Sequence, residues 1–280
     1  MILRSLLFVP ADRPDRFDKA LNSSADAIIL DMEDSVVPSR KEEARIAVAS
    51  FLEKTSPKPI FVRINPLTTQ WAAKDVSALI ISPPDGIILP KAEGAKSIRS
   101  LLKLLNGNVI PTIPIATETA ASVFELGTYR DVAEHLIGLT WGAEDMPASI
   151  GASTSRHEDG SYTPPYEMLR SVSLFAAHAA DAAAIDTVYV DIKNLDGLAA
   201  YAARSRRDGF TGMLAIHPSQ TDIINAAFTP TAEEIQHANM IVDAFSNDPE
   251  AGALQINGKM VDAPHLIQAQ KLLARFAPTN

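Results

Sequence analysis

The stretch LIGLTWGAED, residues 136–145, is a short apolar run that stops on two acids, Glu144 and Asp145. The run before it, VIPTIPIATE at 109–118, stops in the same way on Glu118. Near-continuous apolar runs of this kind, here 136–141 and 109–117, mark strands buried on both faces, as in parallel sheets. Six more lie at 3–9, 27–30, 60–64, 86–89, 187–190 and 213–216. Helix-like stretches alternate with them at 14–21, 39–53, 72–81, 95–105, 120–126, 166–184, 195–207 and 219–228. Pro14 suits a first helical turn, and Ser39 with Glu42 three residues on has the capping-box pattern. Eight strands alternating with eight helices predict an α/β fold, a (β/α)8 TIM barrel. An open doubly wound sheet is the alternative, but no GxGxxG turn follows the first run.

After Phe228 the pattern changes. A helix is predicted at 232–245, then the turn-rich segment SNDPEAGALQINGK, then a last helix at 264–276. We therefore expect a barrel over 1–228 and a C-terminal helical extension over 229–280, too small to be a domain alone. Such an extension can serve as a lid, as an oligomer contact, or as both.

The 280 residues are 46% hydrophobic and 21% charged, an ordinary globular composition with ample chain for a core. A net charge of −9 and the lack of a basic run argue against a nucleic-acid partner. With no cysteine there is no thiolate metal site and no Cys nucleophile. The apolar run at 6–9 is too short for a signal-peptide core, and acids follow at once. No segment reaches the roughly 18 apolar residues of a membrane helix. A cytoplasmic protein without a membrane partner is the expectation.

In barrel enzymes the site lies at the C-terminal ends of the strands. Those ends carry Asp12 and Arg13, then Asp31, Glu33 and Asp34, then Arg63 and Asn65, then Lys91. Glu118, Glu144, Asp145, Asp191 and His217 complete the set. Each has a plain structural reading. Asp12, Asp34 and Asp191 suit helix N-caps. Lys91 can pair with a neighbouring acid, and His217 beside Pro218 reads as a hydrogen-bonded structural histidine. Arg63, on a mostly apolar strand, needs an anion, which internal acids or a substrate can supply. Two carboxylates at consecutive strand ends, Glu118 and Asp145, can converge on one hard cation such as Mg²⁺, which often takes one or two protein carboxylates plus water and substrate. No GxSxG, Walker loop or HExxH is present. A Schiff base on Lys91 is chemically possible, but the nearby acids favour a metal-assisted enolate route.

The stretches FVPADRPDRF, ILDMEDSV, VRIN, LPKAE, ETA, WGAEDM, IHPSQ and NGKMVDAP together resemble the HpcH/HpaI aldolase and citrate lyase family, in its citrate lyase β-subunit-like branch. The resemblance spans nearly the whole chain, and WGAEDM and GKMVDAP carry most of its specificity. It implies a (β/α)8 barrel with a C-terminal helical lid, commonly a homotrimer. It also implies cleavage or formation of C–C bonds in acyl-CoA thioesters or 2-oxo and 2-hydroxy acids. By that resemblance Glu118 and Asp145 match Mg²⁺ ligands, with Glu118 also at the substrate. Arg63 matches the arginine that contacts the substrate oxyanion. The backbone around 142–145 matches the loop that receives a small-acid carboxylate. Asp262 matches a catalytic acid/base delivered by the lid of a neighbouring subunit.

The sequence departs from the family pattern at Ala177-His178-Ala179-Ala180-Asp181, read as outer-helix drift, and in the polar segment 153–165, which leaves the acyl group open. Four readings follow. The first is a Mg²⁺-dependent lyase on malyl-CoA, citramalyl-CoA or citryl-CoA. The second is the citryl-lyase subunit of a multi-subunit citrate lyase, with substrate carried on a partner acyl carrier protein. The third is a metal-dependent aldolase on free 2-oxo acids, and the fourth a non-catalytic barrel subunit.

Overall fold

The structure, a computed structural model, describes residues 2–276; the first residue of the expected barrel and 277–280 of the expected extension lie outside the described residues. Eight strands run parallel: β1 Ser5–Pro10, β2 Ala27–Asp31, β3 Ile60–Arg63, β4 Gly86–Leu89, β5 Thr112–Pro114, β6 Gly138–Thr140, β7 Ala183–Asp186 and β8 Gly212–Ala215. They pair in the order β5-β4-β3-β2-β1-β8-β7-β6. The free edges of β5 and β6 meet through two isolated bridges, Thr112 to Leu136 and Ile115 to Thr140, which bring the sheet round into a (β/α)8 barrel.

Between β5 and β6 the backbone hydrogen bonds are Ile137 N–H to Thr112 O at 3.2 Å and Ala116 N–H to Thr140 O at 2.9 Å. Pro114 lies between Thr112 and Ala116 along that edge and has no N–H to give, so the ladder is interrupted there. Thr117 Oγ1 adds a side-chain stitch, accepting from Gly142 N–H at 3.1 Å.

Alternate residues of each strand enter two cores, which is why the runs are continuously apolar. Leu6, Ala27, Ile29, Phe61, Ile88, Ile113, Ile185 and Leu214 fill the barrel interior. Leu7, Ile28, Leu30, Val62, Ile87 and Leu89 face outward into the layer under the helices. Those helices are α1 Phe17–Leu21, α2 Lys41–Leu52, α3 Ala72–Ile81, α4 Ala95–Leu105, α5 Met146–Ile150, α6 Pro164–Ala179, α7 Leu195–Asp208 and α8 Thr221–Phe228. After β5 the chain forms a 3₁₀ segment, Ala121–His135, broken at Val132, where a short α-helix at 120–126 was expected.

The expected strand at 187–190 is wrong: β7 is Ala183–Asp186, and the helix expected to reach 184 stops at Ala179. Alanines carry helix propensity, so the run read as a continuation of α6. The chain instead turns at Asp181, in the left-handed region at φ 52, and pairing with β6 and β8 decides the strand. Ser39 makes no cap either. Pro38–Arg40 is a 3₁₀ turn, and α2 starts at Lys41 without a side-chain cap.

From Thr229 onward the described chain, with Ile2, forms a second compact unit. It holds α9 Ala232–Asn247, β9 Ala253–Ile256, β10 Lys259–Asp262 and α10 Ala263–Phe276. Thr231 caps α9 in a reciprocal capping box with Glu234. The segment expected to be turn-rich contains β9 and the start of its antiparallel partner β10. Asn257 and Gly258, both at positive φ (50 and 77), make the reversal, the hairpin signal of an Asn-Gly pair. Ala238, Ile241, Phe245, Ile256, Val261 and Ala269 form this unit's own core. Among the described residues no helix is long and apolar enough to cross a membrane.

Candidate active site

Neighbouring strands in register place their ends side by side. Asp31 closes β2 and Arg63 closes β3, and the two residues are direct partners in the ladder. The guanidinium forms a two-pronged bond to the carboxylate, Nε to Oδ1 and Nη2 to Oδ2, both at 2.7 Å. It also lies over the Phe8 ring at 4.8 Å. Asp31 further accepts from the backbone N–H groups of Glu33 and Ser35. Burial pushes Asp31 up, but Arg63 and these donors outweigh it and hold the carboxyl below the usual carboxylate range. Burial likewise opposes the Arg63 charge; Asp31 and Glu33 override it and keep the guanidinium firmly protonated.

From there a chain of charges crosses the barrel mouth. Arg63 Nη1 faces Glu33 Oε2 at 3.0 Å. The other oxygen, Glu33 Oε1, accepts from Lys91 Nζ at 3.0 Å. Buried Lys41 donates to the carbonyls of Met32 and Glu33 at 2.8 and 2.7 Å, which fixes this loop. Lys91 Nζ lies 3.3 Å from Asp145 Oδ1, and its backbone N–H donates to Glu118 Oε2 at 2.5 Å. Glu118 is only 4% exposed. Burial, with the charges of Glu33 and Asp145, pushes its carboxyl up to about 8 against the pull of Lys91. Gly142 makes room for it, since a Cβ there would stand 2.9 Å from Glu118 Cγ.

Around these groups lies a cavity of about 460 Å³ lined by Phe8, Asp31, Asp34, Arg63, Glu118, Trp141, Gly142, Glu144 and Asp145, with Pro10 of β1, Leu214 of β8 and the apolar Ile115, Val188 and Ile216 just past their strands. Arg63, Glu118 and Asp145 are thus brought together. Asp262 ends β10 in the second unit, where its Oδ1 is 2.6 Å from His265 Nδ1. Among the described residues no cluster of three or more His, Asp or Glu side chains is arranged to hold a metal. Glu118 and Asp145 are a pair of hard oxygen donors, and among the described residues buried Glu118 has no direct ion pair. That donor set fits Mg²⁺, which leaves other positions to water and substrate.

The remaining candidates are placed differently. Asp12 is no N-cap; it pairs with Arg40 at 2.7 Å. Asp191 does not end a strand, and it accepts from Lys193 N–H in a loop while Asn194 caps α7. Asp34 makes no cap and lines the cavity. His217 Nδ1 accepts from Ser219 N–H within its own turn, the structural role expected of it. Misplacing β7 hid Asp186, which ends that strand wholly buried and accepts from Trp141 Nε1 at 2.6 Å. The signal was present: the short apolar run before Asp186 stops on an acid, as those before Asp31 and Glu118 do.

A parallel barrel whose mouth gathers a carboxylate pair, an arginine and a linking lysine defines a (β/α)8 protein of the acid-lined class. The family model described as HpcH/HpaI aldolase/citrate lyase matches residues 4–218, and the chain belongs to that family. A citrate lyase subunit beta-like protein of Mycobacterium tuberculosis is 36% identical over 269 residues, spanning 96% of this chain and 94% of that protein. A (3S)-malyl-CoA thioesterase of Cereibacter sphaeroides is 30% identical over 283 residues, spanning 97% and 94%. The crystal structure of protein CitE from M. tuberculosis in complex with magnesium, acetoacetate and coenzyme A superposes with a TM-score of 0.83, at 35% identity and 98% coverage of each chain.

Proposed function

We propose that this chain is a Mg²⁺-dependent carbon–carbon lyase that cleaves or forms a small 3-hydroxyacyl-CoA thioester such as malyl-CoA, citramalyl-CoA or citryl-CoA. The observation that carries the reading is the cavity that Arg63, Glu118 and Asp145 line together. The relatives that bind magnesium with coenzyme A, or are named for malyl-CoA, support the substrate class. Glu118 and Asp145 would hold the cation, which when bound supplies a Lewis acid beside the small-acid oxygens. The backbone of 142–145 would orient the acid's carboxylate. In cleavage the hydroxyl proton is lost, its carbon becomes a carbonyl, and the electron pair of the breaking C–C bond passes to the thioester. Arg63, fixed by Asp31, would stabilise the enolate oxygen that develops there without having to reorganise. Asp262 would accept and return the proton, supplied by a neighbouring subunit of a cytoplasmic homotrimer whose extension serves as lid.

The test is steady-state turnover of the three esters with Mg²⁺ and with EDTA, with identification of the products. EDTA-sensitive release of an acyl-CoA and a 2-oxo acid, lost in Glu118→Ala, is the expected result. Release of free CoA instead would mark thioester hydrolysis and overturn the lyase reading. No turnover without an acyl carrier protein would assign the chain to a multi-subunit citrate lyase. Mixing Asp262→Ala with Arg63→Ala protein should restore activity if subunits share the site. No recovery despite verified exchange would place Asp262 at its own chain's site.

A further inference from the structure

Lys91 adopts a left-handed backbone, φ 49, a region costly for a residue with a side chain and natural for glycine. Strained backbone of this kind persists where surrounding contacts over-determine it, and it clusters at functional sites. The contacts here are unusual in that one residue reaches both candidate cation ligands by different means. Its N–H, which carries no net charge, donates to Glu118 at 2.5 Å. Its ammonium pairs with Asp145 at 3.3 Å and donates to Glu33 at 3.0 Å. A glycine would relieve the backbone and keep the first contact, but it would lose the other two.

The two legs of the ammonium differ. Glu33 is almost wholly buried and offers an aligned hydrogen bond, whereas Asp145 is about a third exposed and offers only proximity. A divalent cation at Glu118 and Asp145 would compete for the oxygen that Lys91 already neutralises, at a separation where like charges repel strongly. The longer, more exposed leg is the one that gives way. Burial works against the ammonium, but Glu33, Glu118 and Asp145 together keep it charged.

We infer that Lys91 is a built-in counter-cation: it presets the two carboxylates in the metal-free protein and is exchanged on Asp145 for the incoming divalent cation, so that its charge limits cation affinity. It acts as a positioning residue, and the inference rests on the assignment of Glu118 and Asp145 as cation ligands.

Mn²⁺ binding to the full-length protein, followed by electron paramagnetic resonance without substrate, tests it. Lys91→Met keeps the N–H and removes the charge, and should lower the Mn²⁺ Kd by about tenfold or more. Lys91→Arg keeps the charge and should stay within about threefold of wild type. Circular dichroism checks that each variant is folded; should Lys91→Met not fold, Lys91→Gln takes its place under the same criterion. An unchanged or raised Kd in the folded neutral variant would overturn the inference, as would equal tightening in Lys91→Arg. Glu118→Gln separates the two claims. Mn²⁺ binding that survives in it removes the cation site itself. Binding lost in Glu118→Gln but unaltered in Lys91→Met removes only the role of Lys91.

Discussion

Two buried arginine–aspartate pairs stand at strand ends of this barrel, and they do different things. Arg170 and Asp186 are sealed under the helices. Asp186 Oδ2 takes Arg170 Nε and Nη2 at 3.1 and 2.9 Å and Ser205 at 2.6 Å, while Oδ1 takes Trp141, Tyr201 and Thr187 N–H. Arg170 Nη1 is taken by Asp208 at 2.7 Å. Each of these oxygens is fully engaged, and neither side chain lines the cavity. Arg63 and Asp31 have the same chemistry but form a wall of the cavity, and the guanidinium continues into Glu33 and Lys91. The role of a buried ion pair is read from what its free edges face: the saturated pair braces the fold, and the one open to a void is available to a ligand.

The largest effect that tests this contrast is on stability. Arg170→Met would leave the Asp186 charge buried without its partner, and breaking such a pair costs about 3–5 kcal/mol. Urea unfolding should show that loss, while kcat measured well below the melting temperature stays within about threefold. A loss under about 1 kcal/mol would make this pair ornamental and break the comparison.

Arg63→Met should divide the other way. Its expected loss is about 10²–10³ in kcat, as for other preorganised donors to a developing oxyanion. Its loss of stability should be smaller than that of Arg170→Met, because Asp31 is left facing the cavity. A fall in kcat below about tenfold would return Arg63 to a structural role.

The smallest effect sharpens what the open side lacks. The Glu118 carboxyl is raised from 4.5 to about 8 by burial and by neighbouring acids. A carboxyl raised by folding contributes stability that is complete below its unfolded value and is lost as pH rises through its folded one. In EDTA, Tm should therefore decline by a few degrees between about pH 5 and 8. Mg²⁺ should remove much of that decline and Glu118→Gln should flatten it. A Tm flat or rising across the window in EDTA would show that the carboxyl is not raised.

Most of the barrel could be read before any coordinates, because strands buried on both faces leave continuous apolar runs with little ambiguity. β7 could not, since Ala183 and Ala184 favour a helix locally and only pairing with Gly138 and Leu139 makes them a strand. That one error moved the strand end from Asp186 to Asp191 and concealed the sealed network. At the mouth, Glu118, Asp145 and Arg63 were visible as charged endings of apolar runs. That Lys91 pairs with a neighbouring acid was visible too, but its second contact, the N–H to Glu118, was not, because it depends on a backbone angle that a lysine seldom takes. Glu33 was visible as an acid after β2, but its link to Arg63 and Lys91 comes from the path of the loop that Lys41 holds.

The interrupted edge between β5 and β6 also gives the barrel a mechanical character. It is a hoop with a clasp, and Pro114 keeps the clasp to two backbone bonds. Glu118 and Asp145 follow its two halves, so a ligand that holds both carboxylates closes the hoop. Amide exchange across 112–116 and 137–140 should then be the fastest among the strands in the ligand-free protein and slow most on binding. The chemistry and the closure of the fold share one joint.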